Sequence, residues 1–352
     1  MLDNINPHMI TLGRESRGMS QSVLAKKIGV SQGKLSKAEK GEQSLPDSAF
    51  KKLTRVLAYP DSFFFTKTPT APVSHYYYRK KVTIPQKTIA QIEAIAKIFR
   101  QNIDSLAEAV ELPETTLISF NPDEETPEEI ARKTRYFFKI PRGPVPNLVN
   151  LLENKGILVV KTDLFTEKID GLSTISDKGI HIIFLNERMS HDRQRFSLSH
   201  ELGHMLMHFD IPNISEDVED EANRFASEFL MPRDEIINSL RSLNFPKLGE
   251  LKRYWKVSMR ALVQRAKQLG TINSNEYRNL QIGFSKRGMT KSEAIQLPEE
   301  KAFILDEVVK LHLNELDYSV EELANILGLN TDEFKSRFTY SQRPKLKIAR
   351  MI

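Results

Sequence analysis

The chain has 352 residues and a formal net charge of +5, and it contains no cysteine. This length exceeds what one hydrophobic core usually covers, which predicts two or three domains. The lack of cysteine excludes disulfides, iron–sulfur clusters and cysteine-ligated zinc. The ligands of any metal must therefore come from His, Asp or Glu.

The charge is distributed unevenly along the chain. Residues 1–101 carry 17 Lys and Arg against 7 Asp and Glu, whereas the remaining residues carry 34 against 39. A basic segment joined to a mildly acidic one indicates that the first binds a polyanion and that the second has another task. No segment approaches the roughly 18 apolar residues of a spanning helix, and the N-terminus lacks the features of a signal peptide. We therefore expect a cytoplasmic protein with no membrane partner.

Short helices with well-marked ends are predicted between Ile10 and Phe65. Ser20 is placed to cap the helix QSVLAKKI, and Gly29 is placed to end it. Ser31 caps the next helix, QGKLSKAEK, after a turn of three to four residues, which is the spacing of a helix-turn-helix. The outward positions of this second helix suit base edges and phosphates, and they are Gln32, Gly33, Lys34, Ser36 and Lys37.

The segment SQSVLAKKIGVSQGKLSKAEKGEQSLP, with LTRVLAYPDSFFF after it, resembles the XRE-type (Cro and lambda-repressor type) helix-turn-helix domain. The resemblance implies a five-helix domain whose recognition helix opens with Gln32 to Lys37, while Gln21 contacts a phosphate. It also implies a homodimer that binds paired half-sites of a double-stranded DNA operator.

Residues 66–124 are predicted to form a linker and a long connecting helix. The linker TKTPTAPVSHYYYRKKVTIP combines prolines with the group Tyr76 to Lys81, which we expect to dock on a neighbouring domain. The segment that follows places Ile89, Ile92, Ile95, Ala96 and Phe99 at helical spacing. It therefore predicts an amphipathic helix that connects the two halves and offers a dimer contact.

From about Glu125 the predicted elements follow an α+β order. Two helices lead to the apolar strand ILVVKTDL, and GLSTIS and IHIIFLN then flank a tight turn at Asp177-Lys178-Gly179. The next helix contains HELGH at 200–204. His200 and His204 leave one face of this helix about 6 Å apart and can bind one metal ion.

Glu201 borders the face of the two histidines and can act as a general base towards a water activated by the metal. His208 lies two helical turns beyond His200, about 12 Å along the helix axis, so we expect a supporting or surface role for it. The third ligand should come from SEDVEDEANRFASEFL, where Glu219 and Glu221 lie on opposite flanks of the buried stripe. Glu228 lies only slightly farther round the helix than Glu221, and periodicity does not choose among the three.

The segments RQRFSLSHELGHMLMH and EDEANRFASEFLMP, preceded by NLVNLLENKGILVV and DGLSTIS and followed by YWKVSMRALVQRAKQLG, resemble the ImmA/IrrE family of metallopeptidases. The resemblance implies a thermolysin-like (zincin) core that binds one Zn²⁺, for which Mn²⁺ could substitute. It implies His200, His204 and the EAN glutamate Glu221 as ligands, and Glu201 as the catalytic residue. Members often cleave a helix-turn-helix repressor in a stress or mobile-element response.

Two finer expectations concern the bound substrate. By analogy with thermolysin-like enzymes, the substrate should extend along an edge strand at about Ile180 to Leu185. Arg224, Tyr136 and Tyr254 are candidate donors to the oxyanion, and the sequence does not choose among them.

The predicted fold is therefore multidomain. It has an all-α helix-turn-helix domain at 1–65, the linker and helix at 66–124, an α+β metallopeptidase domain at 125–285 and a small helical C-terminal module at 286–352. In that module Ser319 and Glu322 form a capping box. The predicted function is a DNA-binding transcriptional regulator with a zinc-dependent endopeptidase domain. Two alternatives are a regulator whose peptidase-like domain senses a ligand or partner without proteolysis, and an antitoxin-like component of a two-gene module.

Overall fold

The computed structural model describes residues 5–67, 84–209, 217–290 and 292–338. The linker group Tyr76 to Lys81 lies outside the described residues. Within the described ranges no helix has the length and apolar character needed to cross a bilayer. The N-terminal region is helical: α1 Pro7–Ser16, α2 Gln21–Ile28, α3 Gln32–Glu39, α4 Asp47–Leu57, a 3-10 helix Asp61–Phe65 and α5 Gln86–Leu106.

The rest of the chain is rich in helices and holds a small mixed sheet. Its elements are α6 Pro127–Phe137, α7 Leu148–Glu153, β1 Ile157–Thr162, β2 Gly171–Ile175, β3 His181–Asn186, α8 His191–Met207, α9 Val218–Leu230, α10 Arg233–Ile236, α11 Phe245–Trp255, α12 Met259–Gln268, α13 Ser274–Lys286, α14 Ile304–Asn314, α15 Val320–Ile326 and α16 Thr331–Arg337.

The helix-turn-helix begins and ends at the residues that the sequence indicates. The Ser20 hydroxyl accepts from the N–H of Val23 and the Ser31 hydroxyl from the N–H of Lys34. Gly29 closes α2 in the left-handed conformation, with φ of 78°. Because these caps satisfy backbone groups at both sides of the turn, α2 and α3 have defined ends.

The strands form one sheet in the described part of the chain, in the order β1-β3-β2. β1 pairs with β3 in parallel and β2 pairs with β3 antiparallel. The predicted turn at Asp177-Lys178-Gly179 is confirmed, because the N–H of Gly179 donates to the carbonyl of Ser176 and Gly179 has φ of 80°. The expectation of an edge strand at Ile180 to Leu185 is wrong. This segment includes β3, the central strand, and β2 is the edge beside the HELGH helix.

Alternate side chains of the sheet enter two different apolar cores. In β1, Leu158 and Val160 join a core made with α1–α5 and α14–α16, whereas Ile157 and Val159 join a core made with α6–α9 and α11–α13. β3 divides in the same way, with Ile182 and Phe184 in the first core and Ile183 and Leu185 in the second. The period of two along each strand therefore attaches both halves of the chain to one sheet.

α5 lies inside the first core. On the face that suggested a dimer contact, Ile89, Ile92, Ala96 and Phe99 are at most 4% exposed within this single chain, and Ile95 is partly buried against the same core. The Asn102 side chain of the same helix also donates to the carbonyl of Leu327, at 2.6 Å. The apolar face of α5 is therefore covered by the chain's own core.

α8 runs between the sheet and α9, and most of its residues are buried. Gly203 allows this close packing, because a Cβ built there would lie 3.0 Å from Cδ1 of Phe225 on α9. This distance is at the lower limit for real Cβ contacts. The glycine inside HELGH therefore sets how closely α9 approaches the two histidines.

The C-terminal helices pack on the helix-turn-helix region. Arg17 forms an ion pair with Glu333 at 2.6 Å, and Asn330 donates to the carbonyl of Ala58 at 2.8 Å. A non-helical segment before α14 carries Glu293 and Glu300, which accept from the first N–H groups of α12 and α7, respectively. Carboxylates at these helix N-termini satisfy unpaired N–H groups and interact favourably with the helix dipoles.

The buried carboxyl of Glu153 makes the stability of the fold depend on pH. Its Oε2 accepts from the N–H groups of Phe303 and Ile304, at 2.7 and 3.4 Å, while Oε1 has no hydrogen-bond partner among the described residues. Burial raises the pKa of Glu153 to about 7. A carboxyl with a raised folded-state pKa contributes stability below its unfolded pKa and loses it as pH rises through the folded value.

We expect Glu153→Gln to remove this pH dependence. Between pH 5 and pH 8 the unfolding free energy of the wild type should fall by about 2–3 kcal/mol relative to the variant. Urea unfolding followed by the fluorescence of Trp255, the only tryptophan, measures the difference. Glu321→Gln, which removes an exposed carboxylate on α15, is the control and should retain the wild-type profile. An identical pH profile for wild type and Glu153→Gln would contradict the assignment.

Candidate metal centre and DNA-binding face

The two histidines of HELGH point their Nε2 atoms at one place. These atoms lie 3.0 Å apart, and the two imidazole rings are nearly perpendicular. The helix forms this pair because positions four residues apart face the same side. Both side chains are buried, at 7% and 2% exposure. Two imidazole nitrogens that converge in this way can bind one ion.

Glu219, in the first turn of α9, completes the group. Its carboxylate oxygens lie 3.6 Å from Nε2 of His200 and 3.5 Å from Nε2 of His204. A tetrahedral zinc site with bonds of about 2.0–2.1 Å has ligand-to-ligand separations of about 3.3–3.4 Å. The three side chains therefore offer a donor set of the type and spacing that fits a zinc ion.

Asn223 lies one helical turn beyond Glu219 and orients His200. Its Oδ1 lies 3.1 Å from Nδ1 of His200, and a carbonyl oxygen can only accept in this pair. The proton of His200 therefore resides on Nδ1, which leaves the Nε2 lone pair available for a ligand bond. One face of α9 thus carries Glu219, which offers a donor atom for a metal, and Asn223, which sets the tautomer of His200.

Glu221, which the family resemblance assigned as the third ligand, has a different position in the structure. Its Oε2 lies 3.0 Å from Nε2 of His208, and Nδ1 of His208 lies 2.9 Å from Nδ1 of His204. Glu219, and not Glu221, lies with the two histidines, because the rotation of α9 turns that flank of its buried stripe towards α8. The supporting role expected for His208 agrees with these contacts.

The third sequence candidate, Glu228, is buried on another side of α9. It pairs with Arg132 and Arg265 and accepts from the N–H of Arg233. It therefore forms ion pairs with cations of α6 and α12, the helices that pack beside α9. Glu228 is not part of the group around the histidines.

Glu201 lies on α8 beside the histidines, and the Ser173 hydroxyl of β2 donates to its Oε2 at 2.7 Å. Both residues line a cavity of about 290 Å³ together with His200, His204 and Glu219. Sequence reasoning missed Ser173, although its place in GLSTIS, the segment ahead of the predicted turn, was a usable signal. It also missed Asn223, whose four-residue spacing from Glu219 puts the two side chains on one face.

The cavity lies between β2 and α8, and charged residues form part of its lining. Among them, Arg193 forms a two-point ion pair with Asp170, at 2.9 and 2.7 Å, and Lys168 also lines the cavity. None of the three oxyanion candidates lines it. Arg224 pairs with Glu128, and Tyr136 and Tyr254 are 87% and 57% exposed.

The helix α3 presents its predicted DNA-contacting residues outwards. Gln32, Gly33 and Lys37 are exposed, and Lys34 and Ser36 are half-buried. Leu35 and Ala38 are buried on the opposite side of the helix. Exposed lysines on α2 and α4 add positive charge to the same region, and they are Lys26, Lys27, Lys51 and Lys52. A basic, exposed second helix is the face that a helix-turn-helix offers to the major groove.

Gln21 donates a hydrogen bond to a buried ion pair within the helix-turn-helix region. The Arg14 guanidinium donates to both carboxylate oxygens of Glu39, at 2.6 and 3.1 Å, and the Gln21 amide donates to Glu39 Oε2 at 2.7 Å. This arrangement ties the end of α3 to α1 and to the start of α2. The second N–H of the Gln21 amide stays available for the predicted phosphate contact.

The structure thus contains a helix-turn-helix with a basic outer helix and, farther along the chain, a His/His/Glu group beside Glu201. Comparison with known families supports this division. A family described as the IrrE N-terminal-like domain, peptidase family M78, matches residues 152–267, and a family described as helix-turn-helix matches residues 12–64. The chain therefore carries an XRE-type helix-turn-helix domain and an IrrE N-terminal-like domain, and both resemblances are confirmed. A search of curated proteins finds no match.

Proposed function

We propose that this regulator is a metal-dependent endopeptidase that cleaves another protein, with a helix-turn-helix repressor as its substrate in a stress or mobile-element response. The observation that carries the proposal is the group His200, His204 and Glu219 beside Glu201, all in one cavity. The match to the peptidase family supports the reaction class. The basic DNA-binding domain on the same chain supports a role in transcription.

His200, His204 and Glu219 would hold a single Zn²⁺ or, in its place, Mn²⁺, in a thermolysin-like arrangement. When bound, the ion supplies Lewis-acid activation of a water molecule and of the scissile carbonyl. Within this chain, Asn223 keeps His200 in the tautomer that can bind metal. The ligand set itself would carry a single negative charge, from the carboxylate of Glu219.

Glu201 acts as the general base and then as the general acid. Its carboxylate accepts the proton of the attacking water and delivers it to the amine that leaves when the peptide bond breaks. The hydroxyl of Ser173 holds one carboxylate oxygen and so fixes the rotamer of the side chain. Because the attack and the departure of the amine occur in the same cavity, one carboxyl can serve both steps.

The substrate pairs with β2, not with β3 as the sequence suggested. The carbonyl of Asp170 accepts from the N–H of Asn186, and hydrogen-bonded and non-hydrogen-bonded pairs alternate along an antiparallel ladder. Gly171 and Ser173 therefore direct their backbone N–H and C=O groups away from β3, towards the open edge. An extended peptide can add a strand there, beside the metal centre.

The metal centre can be tested with two variants that separate binding from chemistry. We expect Glu201→Gln to bind Zn²⁺ normally and to lose at least about 10²-fold in cleavage rate, because proton transfer by a positioned base contributes about 10²–10⁴-fold. Glu219→Gln should lose both metal affinity and cleavage. Metal content is measured after dialysis, and cleavage is followed by mass spectrometry of a proteome-derived peptide library and of purified helix-turn-helix repressors.

Asp220→Asn is the matched control, because Asp220 is an exposed carboxylate beside Glu219 on the same helix. It should retain both metal and activity. Wild-type protein that binds Zn²⁺ but cleaves no member of either substrate set would contradict the peptidase proposal. That result would favour the alternative in which this domain senses a ligand or partner.

The role of the β2 edge can be tested on a peptide that the enzyme cleaves. Replacing one amide near the scissile bond with an ester removes a single backbone donor. We expect kcat/KM to fall about 5- to 10-fold at the positions opposite Gly171 or Ser173, because a net hydrogen bond is worth about 1 kcal/mol. Esters farther from the scissile bond serve as controls. A similar small effect at every position would argue against strand addition.

DNA recognition can be tested on an operator selected from random duplexes. Gln32→Ala should reduce discrimination at one base pair by about 1–3 kcal/mol, and Lys37→Ala should weaken binding to all sequences with a shallower salt dependence. Binding is measured at several salt concentrations, with two chains expected per duplex. Lys286→Ala, which removes an exposed lysine on α13, is the charge-matched control. Equal losses in all three variants would contradict recognition by α3.

A further inference from the structure

We infer that His208 and Glu221 form a two-residue relay that positions His204 for metal binding, so that Glu221 supports the metal centre through His208 and is not a ligand. The inference deepens the proposed function, because it rests on the metal centre of His200, His204 and Glu219. It assigns roles to two residues outside that ligand group.

The relay is continuous and largely buried. Nδ1 of His204 lies 2.9 Å from Nδ1 of His208, and Nε2 of His208 lies 3.0 Å from Oε2 of Glu221. The side chains of His204 and His208 are 2% and 1% exposed, and that of Glu221 is 21% exposed. His208 is the C-cap residue just after α8, so it can reach from His204 to the first turn of α9.

Only one distribution of protons allows His204 to bind a metal through Nε2. In that state His204 carries its proton on Nδ1 and donates it to Nδ1 of His208. His208 must then carry its own proton on Nε2, which donates to the carboxylate of Glu221. Since a carboxylate can only accept, Glu221 fixes the direction of both hydrogen bonds.

The two ligand histidines are therefore supported in different ways. His200 donates to the neutral amide oxygen of Asn223, whereas His204 is linked through an imidazole to a carboxylate. A carboxylate behind a ligand histidine fixes the orientation of its ring and raises its basicity. The first turn of α9 thus supplies a ligand, Glu219, and two residues later the supporting anion of another ligand.

The relay can be tested by metal affinity. The metal-free full-length protein is titrated with Zn²⁺ against a competing chelator. Removal of such a supporting partner typically costs about 10- to 100-fold in metal affinity. We expect Glu221→Gln and His208→Phe each to weaken binding within this range, while Asp220→Asn leaves it unchanged. Glu221→Gln should have little further effect in the His208→Phe background, because Glu221 acts through His208.

Two spectroscopic measurements separate the relay from a ligand role and from a merely structural one. With Co²⁺ as the probe, Glu221→Gln should keep the visible spectrum of the wild type, whereas Glu219→Gln should change it. In the metal-free protein, long-range ¹H–¹⁵N spectra of the histidines should place the His204 proton on Nδ1, and His208→Phe should shift it towards Nε2. Circular dichroism checks that each variant is folded. If His208→Phe does not fold, the inference is tested with Glu221→Gln alone.

The outcomes distinguish failure of this inference from failure of the proposed function. If Glu221→Gln changes the Co²⁺ spectrum as Glu219→Gln does, Glu221 is a ligand and the relay is wrong. If Glu221→Gln binds Zn²⁺ as Asp220→Asn does, Glu221 has no supporting role. If the wild type binds no metal, the proposed peptidase function fails. The histidine spectra then still decide whether Glu221 and His208 set the tautomer of His204.

Discussion

The small sheet lies between two apolar cores, because alternate side chains of β1 and β3 leave opposite faces. Leu158 and Phe184 face the core of the DNA-binding region, and Val159 and Ile183 face the core behind the metal helix. The burial of one large apolar side chain stabilises a fold by about 1.5–3 kcal/mol, so neither face can lose its cover cheaply. The sheet therefore joins the region with the DNA-binding face to the region with the metal centre, since both regions pack against it.

Because α8 is buried, most of its polar side chains have hydrogen-bond partners, although Nε of Arg195 has none among the described residues. A polar group without a partner in such a place costs about 1–3 kcal/mol, and a lone charge costs more. Arg195 is bonded to Glu300 and to the carbonyl of Val145, and Ser199 donates to a backbone carbonyl of its own helix. The two histidines and Glu201 inside this helix also have partners, which are Asn223, His208 and Ser173, respectively. The chemistry of the site and the stability of the helix therefore depend on the same contacts.

Local features of the fold were predictable from the sequence, and relations between distant elements were not. Ser20, Gly29 and Ser31 mark helix ends through bonds within a few residues, and the four-residue spacing of His200 and His204 fixes their common face. The third carboxylate depends on how α9 rotates against α8, which a helical wheel of α9 alone does not contain. Glu219 and Glu221 are equivalent on that wheel, and only the packing on Gly203 and the histidines separates them.

The order of the strands has the same origin. A hairpin at Gly179 follows from local turn chemistry, but whether β3 ends up at an edge depends on its parallel pairing with β1 across the chain. The apolar face of α5 was correctly identified as a contact surface, whereas its partners were not. These partners include α1, the sheet and the helices at 304–337, which lie far away in sequence.

The segment that carries Glu293 and Glu300 limits how the domains of such a chain can be exchanged by recombination. Each carboxylate caps the N-terminus of a helix in the peptidase-type region. The helices that follow the segment pack on the DNA-binding region, where they contact Arg17 and Ala58. The DNA-binding region and the peptidase-type region are thus separate along the sequence, and the C-terminal segment with α14–α16 contacts both of them. Exchange of the DNA-binding region for that of another protein would have to preserve the surface that receives α14–α16. Recombination between such regulators is therefore constrained by packing at residues that belong neither to the predicted recognition helix nor to the metal-binding group.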